Sequence, residues 1–368
     1  ARPFQVGGAG NGVINGQVTA ALSVLKTDSG TWTLNNNNNT YTGVTTVQGG
    51  TLALGTNATI PSTPTITVQS NAVLDVSVVS NALFQSTAFY LNSGYALPVQ
   101  TLAGNGSIVG NVLAYGPGAL VPGGSNSIGT LTFSNNLSLA GMSAAFELNT
   151  PTTAGSGVND LVNVGGDFDS SSATIFVTAL SSLTSPATYR LFNYAGTELT
   201  PIAYASLQTD TRYTMTLDDS TPNQINLLVS GDNVNLVWSG DYGAAWDYLY
   251  NASPNWNNDS EYFYNADTVT FDDSSANNVV NITGTVRPNA VTVANNTIDY
   301  TWQGAGKITG ATGVTKTGTG TLVIFNNNDF TGPVTVNGGV LCVTSFSKKG
   351  TASPLGAGSD IILDGGIL

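Results

Sequence analysis

The chain has 368 residues, of which 41% are hydrophobic and only 8% charged; 43 are glycine, and the formal net charge is −13. That length allows two ordinary domains or one elongated repeat structure with a sizeable core. The acidic balance excludes nucleic acid and anionic membrane surfaces as partners, because both need clustered Lys and Arg, and no apolar run approaches the ~20 residues of a membrane-spanning helix.

The wet face of a helix usually carries Glu, Lys and Arg, but here Lys and Arg together number nine and Thr, Ser and Asn take that role. An all-β fold is predicted. The opening Ala1-Arg2-Pro3-Phe4 shows no hydrophobic leader, which suits a mature, processed or excised segment. One cysteine, Cys342, allows no internal disulfide and reads as a small buried or half-buried strand residue.

Residues 1–140 read as coils of a β-solenoid. An alternating strand at 31–34 puts Trp32 and Leu34 on one face. An Asn run and Tyr41-Thr42-Gly43 turn the chain, strand 44–47 follows, Gly49 and Gly50 make a corner, and strand 51–54 leaves. Three strands and three corners in about thirty residues predict one coil, with corner Asn side chains stacking in ladders from coil to coil. Longer strands at 144–148, 174–178, 189–194, 212–217 and 224–229 mark a region, 141–235, that is either further coils or a capping end. Asp218-Asp219-Ser220-Thr221-Pro222-Asn223 reads as a hairpin turn.

Residues 236–290 are aromatic-rich, with Trp238, Tyr242, Trp246, Tyr248, Tyr250, Trp256, Tyr262, Phe263 and Tyr264. Three roles stay open for this cluster: a core anchor of a module interrupting the solenoid, a glycan platform, or a subunit contact. Trp238, Trp246 and Trp256 are the candidates for the last two. Residues 291–368 return to solenoid coils.

The first segment repeats near the end. Lys26, Gly30, Leu34, Tyr41, Gly43, Val47, Gly49, Gly50 and Leu52 align with Lys316, Gly320, Ile324, Phe330, Gly332, Val336, Gly338, Gly339 and Leu341, with a one-residue gap. Lys26 and Lys316 read as rim residues whose stems cover apolar surface. The paired segments resemble the passenger-associated transport repeat, or autotransporter-associated β-strand repeat, of bacterial surface and fibre proteins. The first copy departs from that pattern at Asp28, where Gly is usual, and at Trp32, where Leu is usual. Leu102–Gly110, Gly116–Gly124, Ile128–Phe133 and Asn159–Gly166 resemble further coils of such proteins, and the Leu236–Asp273 stretch resembles the module opening that often precedes a repeat in them.

The resemblance implies a parallel β-helix, extracellular or cell-surface localisation, and a structural role as a stalk or head-to-tail filament subunit, with an adhesin gripping glycans as the alternative. In such families the coil at Asp364–Leu368 commonly precedes one opening like Arg2-Pro3-Phe4, so self-association through open ends is expected.

No enzyme is expected. Histidine is absent, which removes Ser-His-Asp chemistry and histidine metal sites. The adjacent carboxylates Asp218-Asp219 and Asp272-Asp273 would face opposite ways on a strand, unlike a glycosidase pair. No cofactor is expected; calcium is the one cation that oxygen ligands at Asp167-Phe168-Asp169 or Asp272-Asp273-Ser274 could hold, with solvated turn carboxylates as the alternative.

Overall fold

The computed structural model describes residues 3–80, 87–91, 99–150, 152–248, 253–358 and 360–368. The chain is all-β, as its composition predicts, and divides into two compact units. The first comprises Ala1–Val177, Pro186–Thr209 and Met215–Val229; the second comprises Thr178–Ser185, Asp210–Thr214 and Ser230–Leu368.

In the first unit a nine-stranded sheet stacks Phe4–Val6, Val24–Lys26, Thr45–Val47, Thr65–Val68, Thr101–Gly104 and so on to Ser206–Thr209. A ten-stranded sheet starts from Gly12–Ile14, Thr31–Leu34 and Gly50–Leu54, and a five-stranded sheet forms a third wall. Pairing from coil to coil is parallel: Val24 faces Thr45 and Thr45 faces Ile66, while Trp32 faces both Gly12 and Leu52. This is a parallel β-solenoid, with neighbouring coils ~4.8 Å apart.

The register corrects one expectation. The thirty-residue repeat is not one coil, because its first strand, Val24–Lys26, lies directly under Thr45–Val47 of the same repeat. Each coil here takes roughly 20 residues, and the repeat straddles two successive coils. Coils continue beyond residue 140, and the ten-stranded sheet ends in the antiparallel pair Ala187–Tyr194 and Gln224–Ser230, with Thr214–Asp218 outermost. Asn223, in the predicted hairpin turn, adopts φ 66°, a left-handed conformation that Asn tolerates.

Alternation decides the core. In Thr65–Val68, Ser143–Leu148 and Thr174–Ala179 every second side chain is buried, so Ile66, Val68, Phe146 and Ile175 seal the lumen. Each such side chain contributes about 1.5–3 kcal/mol. The buried Asp160 carboxyl accepts hydrogen bonds from the N–H groups of Gly129 and Glu147, both at 2.8 Å. Burial outweighs these bonds and pushes its pKa up to about 8.

A group that holds its proton more tightly folded than unfolded contributes stability that is complete below the unfolded value and is lost as pH rises through the folded one. Thermal melts should therefore show the first unit less stable at pH 9 than at pH 6, and Asp160→Asn should flatten that slope. An unchanged slope in the variant would assign the dependence to other groups.

The second unit repeats the scheme. A six-stranded sheet runs from Asn235–Val237 through Thr268–Phe271, Ala290–Val293, Val314–Lys316 and Val334–Val336 to Ile361–Leu363. The five-stranded sheet holds Ala245–Trp246, Val279–Ile282, Tyr300–Gln303, Thr321–Ile324 and Val340–Val343. No boundary falls at residue 290, since Thr268–Phe271 pairs in parallel with Ala290–Val293. The aromatic stretch is thus built into this solenoid, running through the coil from Asn235–Val237 to Thr268–Phe271 and the next one to Ala290–Val293, and is not a module set apart from it.

Candidate functional site

The side chains that distinguish the two repeat copies are polar and buried. Lys26 and Lys316 are both 0% exposed, which corrects their expected place at a rim. Within Val24–Lys26 alternation sends Val24 and Lys26 to the same inward face. The Lys26 ammonium donates to the carbonyls of Thr27 (2.5 Å) and Asp28 (2.7 Å), and to Gly49 of the next coil (2.9 Å). Lys316 likewise donates to the Gly318 carbonyl. Burial pushes both ammonium groups below the ordinary lysine range; Asp28 opposes this at Lys26, and Asp299 and Asp273 oppose it at Lys316. Each lysine thus sits inside a corner and gathers carbonyls that a parallel ladder leaves over.

A second pair escaped the sequence reading. Asn39 and Asn328, each two residues before Tyr41 or Phe330, are buried and bridge three coils. Asn39 Oδ1 accepts the Val18 N–H (3.0 Å), and its Nδ2 donates to the Thr59 carbonyl (3.1 Å). In the second copy Asn328 Oδ1 accepts the Ile308 N–H (2.8 Å), and its Nδ2 donates to the Pro354 carbonyl (3.1 Å). The shared two-residue offset was the available signal. Asn39→Ala and Asn328→Ala should each cost about 2 kcal/mol in urea unfolding, because each orphans a buried N–H. Losses no larger than those of an exposed Asn, such as Asn37, would refute the bridging role.

Both departures from the repeat pattern are absorbed. Asp28 adopts φ 59°, and its carboxylate, held below the usual range mainly by the Gly8 N–H, accepts that N–H at 2.8 Å. The Trp32 ring fills space over Gly12, where a Cβ would come within 2.6 Å of it, and its indole N–H donates to the Gly7 carbonyl (2.9 Å). Asn ladders also occur, as where Asn35 Nδ2 donates to Asn15 Oδ1 at 3.0 Å.

Trp238, Trp246 and Trp256 are 0, 0 and 1% exposed. They pack edge to face on one another at 5.1 and 5.6 Å, and Trp246 also meets Phe263, Phe271 and Trp302. A buried ring cannot stack on a sugar or touch another subunit, so both contact roles for these residues are corrected to core. Of the surrounding tyrosines, Tyr242 and Tyr262 are exposed, while Tyr250 lies outside the described residues. Arg212 holds this core's edge: it pairs with Asp267 (2.9 Å) and Glu261 (3.1 Å) and lies 4.7 Å from the centre of the Tyr264 ring.

The acidic turns act as local caps. Asp272 accepts the N–H and hydroxyl of Ser274. Asp273 accepts the N–H groups of Asn296, Thr297 and Ile298, led by Thr297, which hold it far below the usual carboxylate range. Asp169 accepts the Ser138 hydroxyl and both the N–H and hydroxyl of Ser171. Among the described residues no three acidic, Cys or His side chains converge into a metal-sized group. Cys342, expected to be buried or half-buried, is exposed on the outer face.

These features define a repeat-built parallel β-solenoid whose distinctive residues staple coil to coil. The passenger-associated transport repeat profile matches residues 24–54 and 314–343, and the chain carries two such repeats. It is similar to the adhesin BmaC autotransporter of Brucella suis biovar 1 (strain 1330), 28% identical over 303 residues. That match covers 68% of this chain and 8% of the adhesin, so the chain spans a small part of that relative's length. No solved structure matches the chain significantly.

Proposed function

We propose that this chain is a non-enzymatic, extracellular solenoid segment of an adhesin-type bacterial surface protein, serving as a rigid stalk. The observation that carries the reading is the recurrence of one staple, a buried Lys and a buried Asn, in two repeats 290 residues apart at the lysine. Such staples resist shear between coils, which is what a load-bearing spacer requires. The similarity to an autotransporter adhesin supports the surface location. No helix among the described residues is long and apolar enough to cross a membrane.

The test is display. The chain is placed between a cell-surface anchor and a terminal epitope tag, on intact cells. The tag should stain from outside and survive protease for as long as the solenoid stays folded. Rapid cleavage within the repeats, or a tag that stains only after lysis, would defeat the reading.

Self-association end to end extends this proposal. The edge strand Ile361–Leu363 leaves its three side chains 46, 47 and 53% exposed, and Ile367 is 63% exposed. A further coil, from the same polypeptide or a second copy, would bury them. Sedimentation velocity should show concentration-dependent assembly that Ile362→Lys abolishes; a monomer at every concentration would remove the filament form. Ala1 and Arg2, at the other proposed end, lie outside the described residues.

A further inference from the structure

The outer face of the five-stranded sheet in the first unit carries a groove of ≈ 740 Å³ that neither the repeats nor the stapling role explains. We propose that this groove binds a neutral oligosaccharide laid along the solenoid axis. The inference deepens the surface reading by naming a ligand class, but it does not depend on where the protein resides.

The register creates the site. Val112 pairs with Leu137 and Leu137 with Phe168, and these three side chains point inward. Their flanking residues therefore form outward columns, one coil apart. One column runs Asn111, Asn136, Asp167; the next contains Ser138 and Asp169; beyond them stands Tyr115. All six line the groove. The Tyr115 ring is 43% exposed and is fixed from behind by near-parallel stacking on Tyr90, with centroids 6.0 Å apart and planes 7° apart. A held aromatic face suits the C–H face of a pyranose.

The polar groups beside it are oriented by the coils. Asn136 Oδ1 accepts the Asp167 N–H (2.8 Å), which leaves its Nδ2 to donate into the groove. Asp167 Oδ1 accepts the Thr197 N–H (2.8 Å), which leaves Oδ2 to accept. Ser138 gives its proton to Asp169 (2.9 Å) and keeps its acceptor lone pairs. The Asn136 donor and the Asp167 acceptor stand on adjacent coils, so each can meet a hydroxyl of a different sugar. The coil spacing of ~4.8 Å is close to the length of a pyranose unit, so successive coils can meet successive sugars.

Other occupants fit less well. No Lys or Arg lines the groove and two carboxylates do, which repels uronates and other anionic glycans. A peptide laid along the axis would cross the strands and meet side chains only, because the backbone groups of this sheet are already paired between coils.

The experiment is calorimetric titration of the purified chain with maltotetraose, cellotetraose and mannotetraose, and with tetragalacturonic acid as the anionic counterpart. At least one neutral probe should bind and the anionic one should not. Tyr115→Ala should weaken that binding about tenfold, and Ser138→Trp, which fills the groove from the outer face, should abolish it. Melting curves should match those of the parent protein; if Tyr115→Ala melts early, Asn136→Ala takes its place with the same expectation. Failure of all three neutral probes, equal binding of tetragalacturonic acid, or unchanged binding in Ser138→Trp would each overturn the proposal. None of these results would bear on the display experiment, so the surface reading stands or falls separately.

Discussion

Alanine at Gly50 or Gly339 is expected to destabilise its unit by about 3 kcal/mol, whereas alanine at Gly49 should cost under about 1 kcal/mol. Gly50 and Gly339 occupy matching corners with φ of +62° and +66°, in the left-handed region where a side chain is strained. The backbone of the preceding coil also crowds both. A Cβ on Gly50 would lie 2.4 Å from the Asp28 carbonyl oxygen and 2.5 Å from that of Gly30. On Gly339 it would lie 2.3 Å from the Gly320 oxygen and 2.8 Å from the Lys316 ammonium nitrogen. Gly49 has neither problem, because its nearest contact would be an ordinary 3.4 Å. Urea unfolding followed by far-UV circular dichroism distinguishes the two. Equal midpoints for Gly49→Ala and Gly50→Ala would show that the corner is not set by this close approach.

Trp246→Ala should be the most damaging single change in the second unit, at about 3–5 kcal/mol. The indole is 0% exposed, and four aromatic neighbours lie with ring centroids 5.5–6.1 Å away, so truncation leaves a cavity that rigid rings cannot collapse into. Trp246→Phe should be much milder. The buried Trp246 N–H has no acceptor among the described residues, and removing it relieves a desolvation cost of about 1–3 kcal/mol that partly offsets the lost packing. Near-UV circular dichroism during thermal unfolding reports both variants. If Phe proved as costly as Ala, shape and not the orphaned N–H would dominate.

Much of the fold was legible because its causes are local. Alternation in Thr31–Leu34 and Thr321–Ile324 and the Gly-Gly corners mark strands and turns without reference to the rest of the chain. The two repeats align with each other in the sequence alone, and the family profile matches the same segments. The length of a coil was not legible, because a repeat in sequence need not equal one turn in space. Here Val24 lies under Thr45 within a single repeat.

The site residues divide in the same way. Tryptophans clustered in sequence left core anchor, sugar surface and subunit contact open, and the structure selects the core: Trp246 and Trp256 are enclosed by rings from Thr268–Phe271 and Tyr300–Gln303, strands that arrive only on later coils. Lys26 reads as a rim residue because an isolated ammonium avoids burial. The Gly49 carbonyl that helps to receive it belongs to the following coil. Its inward parity with Val24 was the one local clue.

By itself, then, the sequence determined an acidic, histidine-free, strand-and-turn polymer with two repeats, since composition and alternation act over a few residues. Tertiary structure alone decided which polar side chains go inside and which outer columns line up into a groove. Those outcomes depend on the register between coils, where Leu113 meets Ser138 and Ser138 meets Asp169, and a shift of one residue would turn every one of these side chains to the opposite face.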